Sequence, residues 1–153
     1  MVRGFQGVRI YLDVCAIQRP LDTPDQIRIV LEAEAVLGII SLCETGRIEV
    51  VSSDALLYEV ERNPLPVRRE HARAILSGAK SHVGLSEVVK SRAEQLAAAG
   101  IAPLDALHLA FAEAGDAEYF CTCDDRLLRK AKQVADLRVK VVSPLDLVRE
   151  IER

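Results

Sequence analysis

The sequence predicts an α/β domain with a three-layer α/β/α architecture around a central, mainly parallel sheet of four or five strands. Short β-rich runs alternate with longer helical patterns, an order typical of a parallel sheet covered by helices on both faces. The length of 153 residues is that of one ordinary domain. Because no linker or internal repeat interrupts the pattern, we expect residues 1–153 to form a single domain.

Four short runs of β-branched and apolar residues are the predicted strands. They are residues 8–12 (VRIYL), 47–52 (RIEVVS), 118–122 (EYFCT) and 139–142 (VKVV). Helical segments separate all of them, which favours parallel pairing.

Helix start and stop signals occur between these strands. Residues 23–26 (TPDQ) have the spacing of a capping box with proline at the first helical position, so a helix is predicted to begin there. The apolar face that follows is long enough for two helices, or for one helix kinked near Gly38. Further helices are predicted after a cap at Ser53 or Asp54, over residues 67–79, 86–99 and 103–114, near Asp125, and from Ser143 and Pro144.

Composition and charge exclude several classes of protein. The chain is 50% hydrophobic and 28% charged with a net charge of -3, which is typical of a soluble globular protein and not of a cationic nucleic-acid coat. The four cysteines lack the CxxC spacing of zinc sites and predict buried free thiols. The N-terminal segment has no export signal, and the longest apolar run, residues 36–43, is too short to span a membrane. We therefore expect a cytoplasmic protein without membrane contact.

Acidic residues follow the predicted strands, at the edge where parallel sheets bind ligands. Asp13 directly follows the first strand, where a carboxylate lies close to the core and has no helix to cap. Asp54 and Asp125 lie at helix starts, where capping is the simpler explanation. The acids at these places are Asp13, Asp54, Glu59, Asp105, Asp124 and Asp125.

Carboxylates that converge cannot all stay ionised unless a cation neutralises them. No Lys or Arg occurs between Glu94 and Asp125, so that segment supplies no cation. The three histidines are too scattered to indicate zinc. The pattern therefore predicts a hard divalent ion with oxygen ligands, Mg²⁺ or Mn²⁺.

The basic residues are concentrated in two segments. Residues 62–92 contain 7 basic and 2 acidic residues, and residues 126–140 contain 6 basic residues and 1 acidic residue. Such segments form either solvated helix faces or contacts to a phosphate backbone. Both interpretations are open for Arg126 and Lys130, on the helix that is predicted near Asp125.

Four sequence motifs resemble the acidic motifs of PIN domains in order and spacing. They are Asp13 after a strand, SDALLYE at residues 53–59, PLDALH at residues 103–108 and TCDD at residues 122–125. The segment YLDVCAIQRPLD is similar to a PIN branch that has an LDxC start followed by an Arg-Pro and an Asp. The resemblance runs over nearly the whole chain.

This resemblance implies a PIN-like fold and site residues position by position. The metal-binding and catalytic acids that it implies are Asp13, Glu59, Asp105 and Asp124. Asp125 is disfavoured as a metal-binding acid, because Asp124 matches the T-x-D spacing, and it stays a candidate for supporting the acids or contacting substrate. Ser53 and Thr122 match small hydroxyl positions that support the acids or contact substrate. Val14 and Cys15 depart from the polar residues that follow the first Asp in many PIN domains, so substrate choice does not carry over.

Two further residues are candidate site residues. His108 lies three residues after Asp105 on one helix face, so it either hydrogen bonds to that carboxylate or is a partly buried histidine satisfied by backbone. Arg19 either pairs locally with Asp22, the simpler interpretation, or contacts RNA.

Two functional hypotheses follow. The resemblance implies a Mg²⁺- or Mn²⁺-dependent ribonuclease that hydrolyses RNA phosphodiester bonds by metal-activated water, and a toxin like VapC that an antitoxin protein holds inactive. It also implies a homodimer. The alternative is a catalytically weak or inactive PIN-like module that binds RNA or a protein partner.

Overall fold

The fold is a five-stranded parallel sheet with helices on both faces, as seen in a computed structural model that describes residues 7–152. The strands are β1 (Val8–Leu12), β2 (Ile48–Ser53), β3 (Ser81–Val83), β4 (Tyr119–Cys121) and β5 (Lys140–Val142). The helices are α1 (Val14–Gln18), α2 (Ile27–Glu44), α3 (Asp54–Glu61), α4 (Pro66–Ser77), α5 (Glu87–Ala98), α6 (Pro103–Ala114), α7 (Asp125–Ala131) and α8 (Pro144–Glu152). A 3₁₀ turn over Arg19–Leu21 follows α1.

The central strand β1 is buried on both faces. Ile10, Tyr11 and Leu12 are each fully buried, although successive side chains of a strand point to opposite faces. Tyr11 stacks on Phe120 of β4 and contacts His108 of α6, so α6 covers that face. This burial confirms the predicted three-layer α/β/α architecture.

The strand order β3-β2-β1-β4-β5 places a switch point beside β1. The chain moves outward from β1 through β2 to β3, and then returns to the other side of β1 to form β4 and β5. Ligands of open parallel sheets bind at such a point, outside the carboxyl ends of the strands. The ends of β1 and β4 therefore form the expected binding edge.

Two short elements were not predicted from the sequence. Strand β3 has only three residues and pairs with β2 at the edge of the sheet, Val51 opposite Ser81 and Ser53 opposite Val83. Helix α1 has five residues and begins immediately after Asp13. Both are too short to produce a recognisable periodicity.

The prediction for the start of α2 was wrong. The helix begins at Ile27, its cap residue Gln26 makes no side-chain capping bond, and residues 23–26 lie outside it. The helix then runs through Gly38 as one element of 18 residues, so the predicted alternative of two helices is wrong. Its buried side chains, which include Val36 and Ile39, hold this continuous face against the core.

The other predicted helix ends agree closely with the structure. Ser53 caps α3 by accepting a hydrogen bond from Leu56 N at 3.1 Å, and Ser86 caps α5. Helix α6 has the predicted bounds. All four cysteines are free, with Cys121 and Cys123 buried. Within residues 7–152, no helix is both long and apolar enough to cross a membrane.

Gly115 lies where α6 ends against the sheet, and we expect Gly115→Ala to lower the free energy of unfolding by about 1–3 kcal/mol. An added Cβ would lie 2.6 Å from Val51 Cγ1 and 3.0 Å from Val83 Cγ2. Gly38→Ala is the matched control, because a Cβ at this exposed position in α2 meets nothing within 4 Å. It is expected to stabilise the helix by up to about 1 kcal/mol. Urea denaturation measures both variants, and a Gly115→Ala protein as stable as wild type would contradict the close approach.

Candidate active site

The acids predicted from the sequence lie at the carboxyl edge of the sheet, three of them at helix N-termini. Asp13 N continues the ladder by donating to Cys121 O at 2.9 Å, and Asp13 Oδ1 caps α1 by accepting from Val14 N at 2.9 Å. Asp124 caps α7, and Asp105 lies in the first turn of α6. The partial positive charge of a helix N-terminus stabilises a carboxylate in each case.

Three expectations about capping were wrong. Asp13 was expected to have no helix to cap, because the short helix α1 was not visible in the sequence pattern. Asp125 was expected to cap α7, but Asp124 does so, accepting from Arg126 N at 2.9 Å. Asp54 was the other residue explained by capping, and here Ser53 is the cap while Asp54 binds His82 and Leu85 N.

The four acids form an electrostatically coupled centre. Burial raises the pKa of Asp105 to about 6, and the negative charges of Asp13, Asp124 and Glu59 act in the same direction. Burial likewise raises the pKa of Asp13, against the opposing influence of His108 and the Thr122 hydroxyl. The charges of the other three acids therefore make ionisation of Asp105 more costly.

No Lys or Arg relieves this repulsion within residues 7–152, although His108 opposes the rise in the pKa of Asp13 and Asp105. Neither Lys nor Arg forms an ion pair with Asp13, Glu59, Asp105 or Asp124 there, and the only ion-pair partner of Glu59 is His108. Asp105 has no hydrogen-bond partner in the same region, although it is half-buried. The donor set is thus four under-compensated carboxylates, which suits a hard divalent cation.

The carboxylates are gathered but are not yet arranged as a coordination shell. Among the described residues, no three His, Cys, Asp or Glu side chains stand in positions that could hold one metal ion. Any ion bound here would have to draw side chains inward. Asp105 is suited to such movement because no hydrogen bond in the described structure restrains its carboxylate.

Thr122 joins the first acid to the fourth. Its hydroxyl donates to Asp13 Oδ2 at 2.8 Å and accepts from Asp124 N at 3.1 Å. Cys15 Sγ donates to the same Asp13 oxygen at 3.4 Å and accepts from Cys123 N at 3.3 Å. Thr122 is fully buried, so its hydroxyl contacts the acids and faces away from solvent.

A second hydrogen-bonded chain ends on Glu59. Ser53 Oγ lies 2.7 Å from Tyr11 Oη, which lies 2.6 Å from His108 Nδ1, and His108 Nε2 lies 2.6 Å from Glu59 Oε1. Leu56 N donates to Ser53 Oγ, and a carboxylate only accepts. With a neutral imidazole, every bond is satisfied when Ser53 donates to Tyr11, Tyr11 to His108 Nδ1, and His108 Nε2 to Glu59.

This chain corrects the expectation for His108 and reveals a residue that the sequence did not suggest. His108 bonds Glu59 and Tyr11 in the described chain and makes neither the expected bond to Asp105 nor a bond to backbone. Tyr11 was not among the candidate residues, because within an apolar strand it looked like core. The available signal was a phenol between two aliphatic residues of a buried strand, because a buried hydroxyl needs a hydrogen-bond partner.

Arginines hold the loops beside the site. Arg19 donates to Glu32 Oε1 at 2.7 Å and to Asp22 Oδ2 at 3.0 Å. The predicted local ion pair between Arg19 and Asp22 is therefore confirmed. Arg28 makes two hydrogen bonds to Asp125, at 2.7 and 2.9 Å, and one to Cys123 O at 3.0 Å. Asp125 is thereby paired with an arginine, unlike the four acids of the centre in the described structure.

Comparisons with known proteins agree with the fold. A family model described as "PIN domain" matches residues 10–133. The structure of VapBC2 from Rickettsia felis, bound to a DNA fragment from their promoter, is similar with a TM-score of 0.54 and 13% identity, covering 89% of this chain and 98% of that chain. The structure of PAE2754 from Pyrobaculum aerophilum is similar with a TM-score of 0.53 and 16% identity, covering 97% and 98%. At these identities the structural likeness concerns the fold alone. No curated protein sequence matches the chain at a significant level.

The coupled centre predicts a pH-dependent effect of Asp105→Asn on the metal-free protein. The folded pKa of about 6 lies above the ordinary value of 3.8, so the acid costs no stability below about pH 4 and its cost grows as the pH rises through 6. Asparagine has no such cost. Thermal unfolding in EDTA should therefore show a gain in Tm for Asp105→Asn at pH 8 that shrinks at pH 5. The same gain at both pH values would contradict the repulsion.

Proposed function

Because this chain belongs to the PIN domain family, we propose that it is a divalent-metal-dependent ribonuclease that hydrolyses RNA phosphodiester bonds. The family assignment supports a nuclease. The observation that carries the proposal is the acidic centre itself, in which a half-buried Asp105 faces three further acids with no Lys or Arg to neutralise them. Structural neutralisation by arginine, the ordinary alternative, is absent from this centre within residues 7–152.

In this proposal Asp13, Glu59, Asp105 and Asp124 are the catalytic residues that hold Mg²⁺ or Mn²⁺. Asp124 uses Oδ1 for capping and Glu59 uses Oε1 for His108, which leaves Oδ2 and Oε2 without a hydrogen bond in the described structure. When bound, the ion supplies an activated water and offsets charge on the scissile phosphate. Asp13 and Asp124 are already held by amides and a hydroxyl, so most of the movement that binds the ion would fall on the unrestrained Asp105.

The residues around the acids have supporting parts in this proposal. Thr122 fixes the carboxylate of Asp13 relative to Asp124, and His108 fixes that of Glu59. Ser53 orients Tyr11 and acts on Glu59 only through the chain of hydrogen bonds. Such buried partners orient acidic ligands in the way that outer-shell groups do in metal sites.

Asp13→Asn and Asp105→Asn should each abolish Mg²⁺-dependent cleavage of a labelled single-stranded RNA, because each removes a metal-binding charge. Asp116→Asn is the matched control and should keep wild-type activity, because Asp116 is exposed in the turn before β4, at the opposite end of that strand from Asp124. The products of the wild-type protein should carry a 5′-phosphate and a 3′-hydroxyl, because the activated water is expected to attack phosphorus and to displace the 3′-oxygen, which leaves as the hydroxyl. Full activity in either Asp13→Asn or Asp105→Asn would refute the assignment.

We further propose that the protein is the toxin of a toxin–antitoxin pair. The support is the fold it shares with a VapBC2 complex, in which two proteins occur together. Expression of the wild-type chain should then arrest bacterial growth, and Asp105→Asn should relieve the arrest at equal protein levels. Growth arrest by the Asp105→Asn variant as well would argue against a toxin that acts through this site.

The second candidate function is a catalytically inactive PIN-like module that binds RNA or a protein. One observation favours it: the described side chains are not arranged to hold an ion as they stand. Calorimetric titration with Mn²⁺ separates the two functions. Binding that is lost in Asp13→Asn supports the nuclease, whereas no binding at millimolar Mn²⁺ supports the inactive module.

A further inference from the structure

We propose that Arg126 and Lys130 of α7 bind the phosphate of single-stranded RNA that adjoins the scissile phosphate, and that the cavity beside them takes the intervening nucleotide. This inference rests on the proposed function and names a substrate subsite for the same active site. It is carried by a cavity, by two unpaired cations and by their place next to Asp105.

The cavity lies between α7 and the segment that joins α5 to α6. It has a volume of about 210 Å³ and is lined by Asp105 on one side and by Arg126 and Lys130 on another. Apolar groups, among them Ile101 and Leu127, form its remaining walls. One acid of the catalytic centre thus shares a single cavity with two cations.

The two cations are one helical turn apart and unpaired. Arg126 and Lys130 are four residues apart on α7, so they lie on one face, about 5–6 Å apart along the helix. Over the described chain, neither side chain forms an ion pair or a hydrogen bond. Both are therefore free to bind an anion without first breaking an interaction within the protein.

Ion pairs occupy only part of each basic segment. In residues 62–92, three arginines are held by carboxylates: Arg68 by Asp22, Arg73 by Glu61 and Glu70, and Arg92 by Glu113 and Asp136. In residues 126–140, ion pairs hold Arg138 and Lys140, which lie beyond α7. Arg126 and Lys130 are set apart because they are without an ion pair in the described structure and line one cavity with Asp105.

The chemistry of the cavity favours a sugar-phosphate chain. Two cations beside a nuclease centre suit the phosphate next to the scissile one, and neutralisation of phosphates provides most of the affinity in sequence-independent binding. The lining contains no aromatic ring on which a base could stack. We therefore expect this subsite to hold the backbone and to tolerate any base.

The test compares two double variants of α7 in the full chain. Arg126→Ala with Lys130→Ala removes the cavity cations, and Arg129→Ala with Lys132→Ala removes the same charge outside the cavity. Both are made in an Asp13→Asn background that prevents cleavage. Anisotropy of a fluorescein-labelled single-stranded RNA, measured at several NaCl concentrations, gives the affinity and its salt dependence.

We expect the cavity variant to bind RNA about tenfold more weakly, with a salt slope that is shallower by about 0.7 for each phosphate that is no longer neutralised. The control variant should change both values much less. In the cleavage-competent chain, the cavity variant should raise KM more than it lowers kcat, because the phosphate is bound equally in the ground and transition states. Unchanged thermal unfolding shows that the exposed substitutions leave the fold intact.

Three results would overturn the inference. Equal weakening by both double variants would indicate general electrostatic attraction, and wild-type affinity of the cavity variant would exclude the subsite. An oligo-glutamate peptide that binds wild type but not the cavity variant, with RNA binding unaffected, would assign the cations to an acidic protein partner.

Failure of this inference can be told apart from failure of the proposed function. If the wild-type protein cleaves RNA and the cavity variant binds and cleaves it equally well, this inference alone is refuted. Wild-type protein that neither cleaves nor binds RNA refutes the proposed function with it.

Discussion

Mutual repulsion among carboxylates at the switch point of the sheet is the constraint on which the rest of this site depends. Asp13 is almost completely buried at the end of the central strand, where an unsolvated charge is costly. Its carboxylate is held by an amide, a hydroxyl and a thiol, from Val14, Thr122 and Cys15. Each of these is a neutral donor, so together they solvate the acid without cancelling its charge. The net charge of the centre therefore stays available for a cation.

Hydrogen bonds also satisfy the buried polar groups on the face of β1 that meets α6. Tyr11 and His108 are buried polar groups in the middle of an apolar layer, and such groups destabilise a fold when they are left unpaired. Their hydrogen bonds connect the Ser53 cap of α3 to Glu59 farther along the same helix, so the network costs little and fixes an acid. Across the described residues, the buried side-chain atoms without a partner belong to Gln18 and Ser81, outside this network.

Sequence patterns predict the positions of the acids well and their surroundings poorly. Strand ends and helix starts are local features, and they place Asp13, Asp105 and Asp124 at one edge of a parallel sheet once the fold class is known. Helix α1 and strand β3 are too short to have a period, so the capping of Asp13 could not be anticipated. The partners of His108 come from residues 97 and 49 positions away in the chain, and nothing in local spacing selects them.

The adjacent pair Asp124 and Asp125 shows how long-range ion pairs assign roles that sequence alone leaves open. Glu32 is buried in α2 and accepts hydrogen bonds from Arg19, while Arg28, four residues before it, lies within 3.4 Å of the same carboxylate. With its other nitrogens Arg28 binds Asp125 and the carbonyl of Cys123. Asp125 is thus neutralised by an arginine whose own position depends on a buried acid, and it adds little to the charge of the centre. Asp124 has no such arginine partner in the described structure, so of the two it is the one whose charge no arginine offsets.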